Sequence, residues 1–234
     1  MIRIFIGYDE NETVAYHVLA HSIIANATQP VTISPLRKES FRSFYVRERS
    51  NIESTDFSFT RFLVPYLCDY EGWAMFMDCD MVNTADIAEL WAMRDDTFSV
   101  MCVKHDYQPT DEVKFLGNVQ TRYEKKNWSS VMLFNNERCA ALTPQFVSTA
   151  SGLELHQFKW LTDETQIGAL PARWNHLVGY DRTEGDVGFV HYTLGGPYFD
   201  DYGNCEYAAE WFAERDEMLH ASQRAVVAAP IVSA

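Results

Sequence analysis

Asp78-Cys79-Asp80 puts two carboxylates one residue apart, directly after the apolar run Trp73-Ala74-Met75-Phe76-Met77. Side chains alternate along an extended chain, so residues 78 and 80 share a side and Cys79 turns away. Two carboxylates at the carboxyl end of a buried strand are suited to hold a divalent cation. The plainer alternative is that they end the strand and cap the following turn. A second apolar run, Val187-Gly188-Phe189-Val190, leads into His191, which therefore stands at another strand end. Two carboxylates and one imidazole leave open positions on an octahedral ion. An oxygen-rich set with a single nitrogen favours Mn²⁺ or Mg²⁺ over structural zinc. Such an ion would bind a diphosphate and stabilise it as a leaving group. Without the carboxylates, a lone histidine more often serves a structural end.

The elements that position these groups follow from hydrophobic patterning. Ile2–Ile6 has the β-branched and aromatic content of a strand and breaks at Gly7-Tyr8-Asp9-Glu10-Asn11. Val14, Val18, Leu19, Ile23 and Ile24 fall at helical spacing, with Asp9 or Asn11 available as a cap. Val31–Leu36 reads as a second strand, completing a β-α-β opening that lacks the GxGxxG fingerprint of a dinucleotide site. Residues 37–55 read as an irregular connection. Phe59, Phe62, Leu63, Tyr66, Leu67 and Tyr70 form a helical stripe beside Arg61, with Pro65 imposing a kink or a late start. The unbroken apolar run before Asp78 suits a strand covered on both faces of a parallel sheet.

Further along, Asp86–Trp91 predicts a short helix, Phe98–Val103 and Val131–Phe134 predict strands, and Cys139–Phe146 predicts a helix. Residues 104–127 read as a surface excursion, and Trp160 and Trp174 stand in loops. Glu206–Leu219 is an amphipathic helix, followed by the apolar tail Ala225–Ala234, read as a loose end or docking segment. Strands alternating with helices give an α/β fold with a mostly parallel central sheet flanked by helices. The expected organisation is one domain over residues 1–205, with the helix and tail of 206–234 packed on it.

Composition narrows the function classes. The chain has 234 residues, 47% of them hydrophobic, enough for one large domain with a sizeable core. A formal net charge of −14 argues against a nucleic-acid partner and requires that any anionic substrate be met locally by a metal or a few placed cations. The five cysteines are scattered without CxxC spacing, which suits reduced thiols and a cytoplasmic location. No apolar run approaches the roughly 20 residues of a membrane span, and the amino-terminal residues lack a signal-peptide pattern.

Six ordered blocks across about the first 200 residues resemble family 8-like glycosyltransferases of the GT-A fold. Gly7-Tyr8-Asp9-Glu10-Asn11 looks like that family's nucleotide-binding opening, and Thr60-Arg61-Phe62 with Pro65-Tyr66-Leu67 resembles its arginine-containing helix. Asp78-Cys79-Asp80 corresponds to its DxD motif, and Val131-Met132-Leu133-Phe134-Asn135 is similar to its strand after the NxG turn. Leu161-Thr162-Asp163-Glu164, Leu170-Pro171 and Trp174-Asn175 resemble its DQ, LP and WN block; His191-Tyr192-Thr193 with Gly195-Gly196 resembles its last motif.

The resemblance implies a hexosyltransferase-like enzyme that moves sugar from a nucleoside-diphosphate sugar, UDP-sugar foremost, to a saccharide, glycolipid or glycan acceptor. It implies Mn²⁺ (or Mg²⁺) held by Asp78, Asp80 and His191. Gly7, Tyr8, Asp9 and Asn11 would contact the nucleoside, and Arg61, Cys79 and Gly196 would complete the nucleotide-sugar site with Asp78. Asp163 and Glu164 would lie on the reacting face of the sugar, with retention of configuration expected over inversion.

Three departures stand out. Trp128-Ser129-Ser130 replaces the Asn and Gly of NxG, Glu164 replaces a Gln, and Pro197-Tyr198-Phe199 stands where the family carries a lysine. The lost lysine leaves open a nucleotide-sugar-binding protein without turnover, and Glu164 leaves open an inverting general base. A haloacid dehalogenase-type phosphatase also uses DxD, but on its first strand. Here a β-α-β unit precedes the motif.

Overall fold

The computed structural model describes residues 1–48, 55–106, 123–182 and 185–228, from 221 onward by backbone alone. Its central sheet has six strands: β1 (Ile2–Gly7), β2 (Val31–Leu36), β3 (Trp73–Met77), β5 (Val100–Val103), β6 (Val131–Asn135) and β7 (Ile167–Leu170), in the order β2-β1-β3-β6-β5-β7. β1 runs parallel to β2 and β3, and β5 parallel to β7, while β6 is antiparallel to both neighbours. This mixed α/β sheet, parallel in most of its pairings, fulfils the expected fold class. The β3 run is buried throughout but has a parallel neighbour on one side only. An unbroken apolar run requires cover on both faces and is silent about direction.

A smaller sheet carries β4 (Met81–Asn83), β8 (His176–Leu177) and β9 (Phe189–His191) in the order β4-β9-β8. Helix α1 (Thr13–Asn26) buries Ala15, Tyr16, Val18, Leu19 and Ile23. Val18 joins Val82, Val178, Val190, Tyr192 and Trp211 in a second apolar cluster beside the main core. Trp211 comes from the last helix, α6 (Ala208–Ala228), whose Glu214 also meets His21 of α1 at 2.5 Å.

Several local expectations are corrected. The stripe from Phe59 to Tyr70 forms a 3₁₀ turn over Thr60–Leu63 and then the short helix α2 (Val64–Leu67). Pro65 sits in the first turn of α2, where its missing N–H goes unneeded. The helix expected over Cys139–Phe146 is instead a 3₁₀ turn, Asn136–Cys139, followed by α4 (Pro144–Thr149), which Thr143 caps by accepting from the Phe146 N–H at 3.1 Å. The short helix expected over Asp86–Trp91 is α3 (Ile87–Ala92), with Asp86 standing just outside it as the cap.

α5 (Gly152–His156), with a Ser151–Glu154 capping box, β7 and β8 were not foreseen. They are too short to show a hydrophobic period. Asp9 does serve as a cap, but of the 3₁₀ turn Glu10–Glu12 ahead of α1. Much of the excursion at 104–127 and part of the 37–55 connection lie outside the described residues, as does the tail beyond 228.

Candidate functional site

Parallel pairing of β1 with β3 aligns Ile6 with Met77, so Gly7-Tyr8-Asp9 and Asp78-Cys79-Asp80 leave the sheet side by side at its carboxyl edge. β6 enters the sheet there from the opposite direction, with Val131 paired to Met77. The Trp128–Ser130 turn before β6 is thereby set against Asp78, whose backbone N–H donates to the Ser130 carbonyl at 2.9 Å. The Asp78 carboxylate is 2.8 Å from Nη1 of Arg61. That guanidinium is itself buried, donates to the Ser129 carbonyl at 2.9 Å and lies over the Phe76 ring at 4.9 Å. Burial raises the Asp78 carboxyl above the usual carboxylate range, with Arg61 opposing and Asp80 adding to the rise.

The second sheet completes the group. β4 pairs antiparallel with β9 so that Met81 faces His191, and the Tyr192 N–H donates to the Asp80 carbonyl at 2.9 Å. His191 Nε2 then lies 3.4 Å from Oδ1 of Asp80. Its other nitrogen, Nδ1, is 2.8 Å from Oδ1 of Asn175. Nδ2 of Asn175 donates to the Asn127 carbonyl at 3.2 Å, which fixes the amide orientation and makes Oδ1 the acceptor. The Nδ1–H of His191 is therefore the donor, and Nε2 is the nitrogen turned to the carboxylates and available to a cation.

One ligand atom from each of Asp78, Asp80 and His191 lies within 4.8 Å of the others, all three residues being buried. Two crowded carboxylates and an imidazole with its tautomer fixed from behind match the donor set of a Mn²⁺ or Mg²⁺ site.

Asn175 had no role in the sequence reading, although the Trp174-Asn175 pair was noted. Nothing in one sequence shows that its amide stands behind His191. Replacing Asn175 with alanine is expected to weaken Mn²⁺ binding about 10–100-fold, as loss of a partner behind a ligating histidine typically does. Calorimetric titration of Mn²⁺ into wild type and variant checks this, and equal affinities would refute it.

The other candidates fall into two groups. Tyr8, Asp9, Asn11 and Cys79 stand at the same strand ends, and Gly196 lies beyond β9. Asp9 is buried; its Oδ1 accepts from Asn11 N and Nδ2, each at 2.9 Å, and its Oδ2 from Asp56 N at 2.9 Å. Tyr8 shares a 3.2 Å hydrogen bond with Thr13. Cys79 is buried behind the carboxylates, and burial pushes its thiol well up. Gly7 is packed so that a Cβ would come within 2.4 Å of the Phe57 ring.

Gly196 is as tight against Tyr198, where a Cβ would meet the ring at 2.2 Å. The Tyr198 hydroxyl donates to buried Glu12 at 2.6 Å, and the ring lies tilted against that of Trp211 with centroids 5.3 Å apart. Asp163 and Glu164 stand apart, exposed. Asp163 accepts from Thr165 N at 2.7 Å and caps the turn Glu164–Gln166, and Glu164 pairs with Lys125.

This fold, with paired aspartates and a histidine at its carboxyl edge, is the GT-A fold of glycosyltransferases. The bifunctional glycosyltransferase WbbM aligns at TM-score 0.64 and 14% identity over 95% of this chain, which spans about half (51%) of that protein. An active-site mutant of LgtC aligns at 0.61 and 12% identity, covering 92% of this chain and 96% of LgtC. The glycosyltransferase GlyE of Streptococcus pneumoniae aligns at 0.62 and 13% identity, covering 100% of this chain and 67% of GlyE. No protein-family model matches the sequence. The chain belongs to the family of Protein CDI of Arabidopsis thaliana, with which it is 48% identical over 224 residues, 92% of this chain and 86% of that protein. No described helix is long and apolar enough to cross a membrane.

Proposed function

We propose that this chain is a metal-dependent glycosyltransferase, of the family 8-like type, moving a sugar from a nucleoside-diphosphate sugar to a saccharide, glycolipid or glycan acceptor in the cytoplasm. The observation that carries the reading is the convergence of Asp78, Asp80 and His191 at the carboxyl edge of a GT-A sheet. Mn²⁺ or Mg²⁺ bound there supplies charge neutralisation to the diphosphate as it departs.

The chain's own residues do the rest. Arg61 holds the Asp78 carboxyl in place and opposes the rise that burial imposes on it. Asn175 keeps the His191 Nε2 lone pair turned to the ion. Tyr8, Asp9 and Asn11, with Gly7, form the nucleoside end. Gly196, with Cys79 and Asp78, is assigned to the donor. Asp163 and Glu164 are assigned to the sugar's reacting face from the loop before β7, with retention favoured.

A second reading, donor binding without turnover, draws on Tyr198: no cation follows Gly196, and the tyrosine hydroxyl is bound to Glu12. The test common to both readings is thermal melting with UDP, GDP or ADP in the presence of Mn²⁺. Ligand at about 100 times its Kd adds about 2.7 kcal/mol, which for a chain of this size raises Tm by roughly 5–11 °C. Donor hydrolysis then separates an enzyme from a binding protein. No shift with any nucleoside diphosphate would overturn both.

A further inference from the structure

We propose that His156 is a positioning residue for the metal group, acting through Ser129 to hold the turn against which Arg61 and Asp78 are seated. This rests on the metal-dependent reading above. It goes beyond that reading by giving a role to a histidine outside the carboxylate–histidine group.

Asp78 is not held by its own strand alone. Its backbone N–H donates to the Ser130 carbonyl at 2.9 Å. Its carboxylate meets Arg61, which donates in turn to the Ser129 carbonyl at 2.9 Å. Two consecutive carbonyls therefore set both the main chain and the counter-charge of the first aspartate. They belong to the 3₁₀ turn Trp128–Ser130, entered from a left-handed residue, Asn127 at φ 62°. Three residues of 3₁₀ structure bond poorly within themselves, so the position of the turn depends on what it touches.

Ser129 makes the contact that fixes it. Its Oγ shares a 2.7 Å hydrogen bond with Nδ1 of His156, the last residue of α5. Ser129 is buried, where a hydroxyl without its partner is costly. The same imidazole packs against the segment that carries Arg61. Its centroid lies 5.8 Å from that of Phe59 and 5.3 Å from that of Phe62, at the start of and within the 3₁₀ turn Thr60–Leu63. His156 thus touches both the turn that presents the guanidinium and the turn that receives it. A second tie joins α5 to the receiving segment, Lys125 Nζ donating to the Gln157 carbonyl at 3.3 Å.

Desolvation, then Arg61, Lys126 and Arg47, hold the imidazole well below its ordinary value, with a backbone hydrogen bond to Ser58 opposing. The ring is therefore neutral at pH 7. It contributes a hydrogen bond and a packed surface, and no charge.

Two substitutions separate those contributions. His156→Phe keeps a ring against Phe59 and Phe62 and loses the bond to Ser129. His156→Asn loses the ring and keeps a polar atom close to the Nδ1 position. Mn²⁺ is titrated calorimetrically into the full chain and its variants. His156→Phe should raise the Mn²⁺ Kd about fivefold, the effect of one ordinary hydrogen bond, and His156→Asn should recover most of that loss. Ser129→Ala should show the same rise, and Ser129→Ala with His156→Phe no more than either alone, because both remove one contact. An unchanged Kd in His156→Phe, a His156→Asn as weak as His156→Phe, or losses that add in the double variant each overturn the proposal and leave the metal-dependent reading in place. Wild type that binds no Mn²⁺ overturns both. If neither His156 variant folds, Ser129→Ala decides, and a Kd equal to that of wild type overturns the assignment.

Discussion

Replacing Asp80 with asparagine should reduce Mn²⁺ affinity by more than the roughly 100-fold typical of the largest losses behind a ligand, while the unliganded protein melts no lower than wild type. The reasoning has two halves. Asp80 supplies one of two anionic oxygens in a three-ligand group, its Oδ1 lying 3.4 Å from His191 Nε2. The amide keeps the shape but loses the charge that draws a hard cation. In the unliganded fold, Asp80 adds to the rise of the Asp78 carboxyl, so removing its charge relieves a like-charge contact. Calorimetry for the metal and thermal melts with and without Mn²⁺ measure the two halves. A variant that unfolds would show the acids to be structural, and one that binds Mn²⁺ normally would show that Asp80 is no ligand.

Arg61→Met should destabilise the fold by about 3–5 kcal/mol, the usual consequence of leaving a buried charge without its partner. For a chain of this size that corresponds to a fall in Tm on the order of 10 °C. The guanidinium is buried, 2.8 Å from Asp78, and also satisfies the Ser129 carbonyl, so methionine leaves both a carboxylate and a carbonyl unmet. The pH dependence has a definite sign. Burial already holds the Asp78 carboxyl above its ordinary value, and without Arg61 the rise increases. A group whose folded pKa is raised releases its proton later in the fold than in the unfolded chain, so stability falls as pH rises through that window. The deficit of Arg61→Met should therefore shrink as pH falls below the raised carboxyl value and grow as pH rises through it. Adding Asp78→Asn should recover part of it, the two effects being far from additive. A variant as stable as wild type at neutral pH would mean that Asp78 has another counter-charge.

The two expectations concern groups that differ in how far the sequence revealed them. Asp78 and Asp80 were legible because β3 is an unbroken apolar run with carboxylates at its end, and a period of two puts them on one side. His191 was legible as a strand end, though it proves to be the last paired residue of β9 rather than the first beyond it. Arg61 was noticed for its neighbours. Its hold on Asp78 depends on a 3₁₀ turn that the helical stripe did not suggest. Asn175 and Ser130 gave no usable signal, because each acts through a backbone or side-chain contact made across many residues of chain.

The sequence by itself determined what is local and periodic: which runs are buried, where they end, and which acids and imidazole stand at those ends. Side-chain alternation and the free energy of apolar burial act over a few residues and leave their mark in the order of residue types. Only the tertiary structure decided that β6 runs against its neighbours, that the small sheet delivers His191 to Asp80, and that residues 127–130 link Asn175 behind His191 to Arg61 and Asp78. Those outcomes depend on pairing and loop closure between distant segments, where direction and register are settled by the packing of the whole chain.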